Sequence, residues 1–195
     1  MGLKPNEMVA AVIIVAFVLV IVAVGLYPTL HQAATQQCLA NLKAVGTAVS
    51  LYIGDNGGRF APAESWTDGL GHQYMEDPNH LICPSAKPTA EQLANLQSAE
   101  GPGVPIGYAL FRPLAGSESN RIADGAKTPV VFDSTDIRRD AVADITTLDF
   151  RHVGKVGNVS FGDGHCESLS QAPVLPKPLF GAPKIPKQPA GAADD

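Results

Sequence analysis

MVAAVIIVAFVLVIVAVGL, residues 8–26, is a run of nineteen residues without a charge, an amide or a hydroxyl. At roughly 1.5 Å of rise per residue, a helix of this length covers about 28 Å, close to the hydrocarbon thickness of a bilayer. Only a helix satisfies its own backbone polar groups in lipid, so the valines and isoleucines do not argue for a strand. A wholly buried core helix would need a larger domain around it than the rest of the chain supplies. The other rival is a cleaved secretory signal. Such signals have an apolar core of ~7–15 residues, and Pro28-Thr29-Leu30-His31 is a poor small-x-small cleavage site. A single membrane-spanning helix is the expectation. Lys4 precedes the run, and the next Lys or Arg beyond it is Lys43. Positive-inside logic then places the N-terminus in the cytoplasm and residues 28–195 on the far side of the membrane.

Beyond Pro28 the pattern becomes amphipathic. Cys38, Leu42, Val45, Val49, Tyr52 and Ile53 follow three- and four-residue steps, while Gln36, Asn41, Lys43 and Ser50 fall elsewhere. This spacing predicts a helix with one buried face, running to about residue 54 and ending before the Asp55-Asn56-Gly57-Gly58 turn cluster. Pro28 predicts a kink or local break between the two helical parts.

Residues 59–171 carry short apolar runs separated by Gly, Pro, Asp and Asn: Leu81–Cys83, Gly107–Phe111, Val130–Phe132 and Asn158–Phe161. These read as strands. Ala90–Ser98 fits a short helix, and Gly162-Asp163-Gly164-His165 fits a hairpin turn leading into a return strand at Cys166–Leu169. After Gln171 the prolines at 173, 176, 178, 183, 186 and 189 predict an extended or disordered tail. The expected fold is α+β: a long N-terminal helix packed on a small, mostly antiparallel sheet. Its divisions are a membrane helix over residues 1–28, a globular domain over 29–171 and a tail over 172–195. The net charge is −5 and no basic run occurs, which argues against nucleic acid as a partner.

Several motifs in order carry a family resemblance. The greasy helix runs into Cys38-Leu39-Ala40-Asn41-Leu42-Lys43-Ala44-Val45-Gly46, then Tyr52 and Asp55-Asn56-Gly57-Gly58-Arg59-Phe60. Cys83-Pro84-Ser85, Gly107-Tyr108-Ala109-Leu110 and Thr128-Pro129-Val130-Val131-Phe132-Asp133 follow. Phe150-Arg151-His152 and Gly157-Asn158-Val159-Ser160-Phe161-Gly162-Asp163-Gly164-His165 close the series. Over about Glu7 to Leu169 the chain resembles the bacterial type IV pilin-like pseudopilins, including major pseudopilins of type II secretion. The resemblance is to the group with a prepilin-type N-terminus and a C-terminal His-to-Asp-Gly signature, here His152, Asn158, Asp163 and Gly164. It implies a structural subunit in the inner (cytoplasmic) membrane, with its C-terminal domain periplasmic or extracellular. Such a subunit would assemble with copies of itself, or with other pilin-like subunits, into a pilus or pseudopilus filament. Gly2 and Leu3 then flank the processing position. Glu7, the fifth residue after Gly2, takes the place of the carboxylate that pairs with a neighbour's N-terminal amine. Two departures stand out: Leu3-Lys4-Pro5-Asn6 replaces the family's Phe-Thr-Leu element, and ten residues rather than nine separate His152 from Asp163. The extra residue predicts a one-residue bulge or a longer turn around Gly154–Gly157. The alternative reading is a membrane-anchored binding module that never polymerises. Independently of any family, an unpaired carboxylate among helices packed in lipid is costly, and a neighbour's ammonium relieves that cost.

Candidate sites are few. His152, Asp163 and His165, with Cys166 beside them, suggest zinc, but His165 and Cys166 point to opposite faces if both lie in a strand. The hairpin with a hydrogen-bonded His152 is the plainer reading. Asp133, Asp136, Asp140, Asp144 and Asp149 offer oxygen ligands of the kind some pseudopilins use for calcium, without EF-hand spacing. Neither ion is expected as a resident cofactor. Cys83 and Cys166 form a candidate disulfide, with Cys38 as a small core residue. No catalytic motif occurs, His72, His80 and Cys83 are too scattered for a nucleophile and its base, and no small-molecule substrate is indicated.

Overall fold

The computed structural model describes residues 5–92 and 106–183. Helix α1 runs from Pro5 to Asp55, 51 residues, and divides into two environments. Between Met8 and Leu26, fourteen large apolar side chains are 47–68% exposed. From Cys38 onward one face is covered: Cys38, Leu42, Val45, Ala48 and Val49 are buried, with Tyr52 and Ile53 half-buried behind them. Asn41, expected off this face, lies on it and is 4% exposed. Its amide is satisfied there, donating to the Ile82 carbonyl (2.9 Å) and accepting from Gln37 Nε2 (2.8 Å).

The break expected at Pro28 is absent; α1 continues through it. Proline removes one amide donor and crowds the preceding turn, a cost of about 3 kcal/mol. Long helical runs on both sides outweigh that loss, and the Thr29 hydroxyl donates to the Leu26 carbonyl (2.7 Å). The helix stops where expected. Gly57 and Gly58 take positive φ (64° and 77°), and the Gly58 N–H reaches back to the Ile53 carbonyl (2.9 Å). Only glycine adopts that turn without strain.

The sheet has five strands in the order β3-β1-β2-β4-β5. These are β1 (Tyr108–Phe111), β2 (Pro129–Asp133), β3 (Val142–Ala143), β4 (Gly157–Phe161) and β5 (Cys166–Leu169). β1–β2, β2–β4 and β4–β5 pair antiparallel, and the short β3 joins β1 in parallel. The α+β architecture therefore stands as expected, with one parallel pairing added. Every residue of β1, β2 and β4 is buried, so the sheet centre is covered on both faces, and α1 packs across β2, β4 and β5. The β4–β5 hairpin turns at Gly162–His165, with Gly164 at φ 92° and the Phe161 N–H donating to the His165 carbonyl (2.9 Å). The longer turn expected near Gly154 is present. His152 bridges Val156 across residues 153–155, with Gly154 and Lys155 both at positive φ.

Three local expectations change. Leu81–Cys83 is not a strand: Pro78–Leu81 forms a 3-10 turn, started by the Asp77 carboxylate accepting from the Asn79 N–H (2.9 Å). A second helix, α2 (Trp66–Tyr74), stands where no periodic pattern announced one. It is held from outside by Asp140, whose carboxylate accepts from the Thr67 N–H (2.7 Å) and hydroxyl (2.6 Å). The tail is extended over its described part and is also docked. Ile122 bridges Phe180, the Ala123 N–H donates to the Leu179 carbonyl (3.1 Å), and Leu175, Leu179 and Phe180 pack against the core. The helix expected at 90–98 starts at Ala90 with a capping box, Thr89 and Gln92 exchanging hydrogen bonds (2.9 and 3.1 Å). Its remainder, like tail residues 184–195, lies outside the described residues.

Candidate functional site

The exposed stretch of α1 is the largest chemical anomaly on the molecule. Full burial of a Val, Leu, Ile, Phe or Met side chain contributes ≈ 1.5–3 kcal/mol. Fourteen such side chains, each roughly half exposed or more, therefore forgo on the order of 10–20 kcal/mol in water. That matches or exceeds the whole stability of an ordinary domain, ≈ 5–15 kcal/mol. An apolar surrounding, such as a bilayer or neighbouring helices, would remove that cost. By length and composition α1 can cross a membrane, and none of its most apolar window is buried by the domain. Glu7 lies in the first turns of α1, but its side chain, with Gly2 and Leu3, lies outside the described residues.

Beneath the packed half of α1 sits a buried polar cluster. His152 Nε2 lies 2.8 Å from Asp133 Oδ2, and both side chains are fully buried. A carboxylate can only accept, so Nε2 carries the hydrogen. The same Oδ2 accepts from the Asn158 N–H (2.7 Å), and the Asn158 side-chain oxygen accepts from the Ser168 hydroxyl (2.6 Å). Asp133 thus ties the end of β2 to the start of β4 and to the turn bearing His152. Asp133 Oδ1, His152 Nδ1 and Asn158 Nδ2 are buried without partners among the described residues. The Tyr108 hydroxyl donates to the Cys38 carbonyl (3.1 Å), joining β1 to α1. Burial, reinforced by the Asp133 charge, pushes that phenol far above its ordinary range, so it stays a donor; Arg151 and Asn41 pull weakly the other way. Arg151 donates to the Ser134 carbonyl; its Nε lies 3.0 Å from Asp149 without alignment for a hydrogen bond.

Cysteine pairing differs from the expectation. Cys38 bonds to Cys83, Cα atoms 5.2 Å apart, and Cys166 is free. The Cys83–Cys166 pair is excluded because Cys166 sits on β5, whereas α1 brings Cys38 over the loop that follows the 3-10 turn. The link fastens α1 to the domain. Burial raises the Cys166 thiol pKa, with Ser160 and Lys43 partly countering, which leaves it a poor nucleophile.

The hairpin set does not form one site. His152 is inside with Asp133, whereas Asp163 and His165 are exposed on the β4–β5 turn and hydrogen-bond each other (2.6 Å). His165 also stacks on Phe161, rings 4.4 Å apart. The five aspartates are dispersed among separate partners: Asp136 with Arg138, Asp140 with Thr67, Asp144 with Arg112, Asp149 with Arg151, and Asp133 with His152. The Arg138 hydrogen bond holds the Asp136 carboxyl below its ordinary range against partial burial. Among the described residues, the one cluster of three or more ligand-type side chains is Cys38, Cys83 and His152. A groove of about 300 Å³ between α1 and the β4 end of the domain is lined by residues such as Gly46, Val49, Phe60, Asn120 and Ser160. None of its lining residues is an acid, a base or a cysteine.

Comparison of the chain with known protein families, characterised proteins and solved structures finds no match.

Proposed function

We propose that the chain is a structural, pilin-like subunit, anchored in a bacterial inner membrane by α1 and assembling through that helix with copies of itself or related subunits. The N-terminus lies in the cytoplasm and the domain lies outside it. One observation carries the reading: α1 is a single continuous rod whose N-terminal half is bare and apolar, while its C-terminal half is packed and cross-linked to the domain. A mere anchor needs no such stiffness. A rod coaxial with its domain's packed helix can exchange lipid for neighbouring helices without the domain rearranging. The order of motifs in the sequence supports the same reading.

The test is co-purification of two differently tagged full-length copies from membranes. Wild-type copies should associate, and Glu7→Gln should weaken the association by at least several-fold if that carboxylate pairs across the assembly. A monomeric detergent particle, together with an intact N-terminus by mass spectrometry, would instead identify a non-polymerising anchored module.

A further inference from the structure

We propose that Cys38, Cys83 and His152 form a redox-gated Zn²⁺ site, closed when the two sulfurs are bonded and open when they are reduced. The inference stands apart from the assembly reading, since it concerns only the packed half of α1 and the domain.

Three observations converge. One ligand atom from each residue lies within 4.8 Å of the other two, and all three residues are buried. The His152 ring is held from one side only: Nε2 donates to Asp133 at 2.8 Å, while Nδ1 is buried without a partner. A carboxylate behind a histidine is the usual outer shell of a metal-ligating imidazole, fixing its tautomer and raising its basicity. Finally, the two cysteine Cα atoms are 5.2 Å apart. Two thiolates on one tetrahedral ion, with Zn–S near 2.3 Å, stand roughly 3.7 Å apart, which such a backbone separation accommodates by side-chain rotation.

The donor set selects the ion. Two thiolates and one imidazole are soft-to-borderline ligands that suit zinc and not calcium or magnesium. A divalent cation also cancels both thiolate charges in a dry site, where uncompensated charge is costly. Three protein ligands leave a fourth position for water or a small anion. To open the site, a dithiol reductant transfers two electrons and two protons to the S–S bond and becomes a disulfide itself. Two thiols remain. Zn²⁺ then displaces one proton from each sulfur to solvent. In either state α1 stays tied to the loop after the 3-10 turn, by a covalent bond or through the ion.

The experiment uses the full-length chain in detergent micelles. A phosphine, leaving as its oxide with oxygen from water, reduces the chain until all three cysteines titrate as thiols. Co²⁺ is then added as a spectroscopic stand-in for Zn²⁺. One Co²⁺ per chain should bind with a thiolate-to-metal charge-transfer band sized for two sulfurs, and one equivalent of Zn²⁺ should bleach it. Cys166→Ala should leave the band intact, Cys38→Ala should halve or abolish it, and His152→Gln should weaken affinity at least tenfold. The unreduced wild-type chain is the closed control with an unaltered sequence, so misfolding of a variant cannot decide the matter. No stoichiometric Co²⁺ on the reduced chain, equal binding by the oxidised chain, or loss of the band in Cys166→Ala would each overturn the proposal.

Discussion

Removing the Cys38–Cys83 link should cost the domain most of its reserve. The bond closes a loop with a sequence separation of 45 residues. Chain-entropy arithmetic gives about 13 cal/mol/K for a loop of that size, or about 4 kcal/mol at 25 °C. Small domains have ≈ 5–15 kcal/mol in hand, so the variant should fold but marginally. The perturbation is Cys38→Ala/Cys83→Ala in the full-length chain in detergent, with Cys166→Ala as control. Trp66 is the sole tryptophan, lies inside the closed loop, is buried, and donates its indole N–H to the Ala141 carbonyl (3.0 Å). Its fluorescence therefore reports loss of the packed state directly. With a urea m-value of about 2 kcal/mol/M, the double variant's midpoint should fall by about 2 M. A thiol count on the denatured, unreduced wild type should find one thiol, that of Cys166. An unchanged midpoint, a thiol count of three, or an equal loss in Cys166→Ala would refute the reasoning.

Two further perturbations probe the sheet. Asp133→Leu keeps much of the volume but leaves two buried donors, His152 Nε2 and the Asn158 N–H, without their acceptor. Denaturant unfolding should register a loss of roughly 3 kcal/mol. Gly157→Ala would set a methyl 2.6 Å from the Asp149 carbonyl oxygen and 2.8 Å from Leu148, and backbone must move to admit it. A loss of about 1–3 kcal/mol, read as a lower melting temperature, is expected.

Much of the architecture was legible because it is encoded locally. The apolar run at 8–26, the three-four spacing from Cys38 to Ile53 and the Gly57-Gly58 stop each specify α1 from neighbouring residues alone. Strands β1, β2, β4 and β5 fell within a residue or so of their apolar runs, and Gly162–His165 turned as its composition required. What was missed depends on residues distant in sequence. α2 holds Gly69 and Gly71, with non-helical dihedrals at Gly71, and is fastened by Asp140 some seventy residues away. β3 is two residues long and exists only as a partner for β1. Asn41 looked polar and therefore outward, yet the Ile82 carbonyl awaited it.

The buried cluster was half visible. His152 is expected to be hydrogen-bonded, but its partner, Asp133, reads in the sequence only as one of five aspartates that could offer calcium oxygen ligands. Cysteine pairing is a statement about Cα separation, which periodicity does not carry. Cys38 lies on a helix face and Cys83 in a loop, so nothing in their local patterns linked them. One signal was present: Asp133 ends an otherwise apolar strand, and a carboxylate in that position needs a buried donor.

Fractionation of the full-length chain tests the central claim most directly, that the bare half of α1 is solvated by lipid or by neighbouring helices. Cells expressing the intact chain, and a version lacking residues 5–27, are broken and their membranes washed at alkaline pH. The intact chain should stay in the pellet and the shortened one should appear in the soluble fraction, folded by its Trp66 fluorescence. An intact chain that washes off as a soluble monomer would contradict the account.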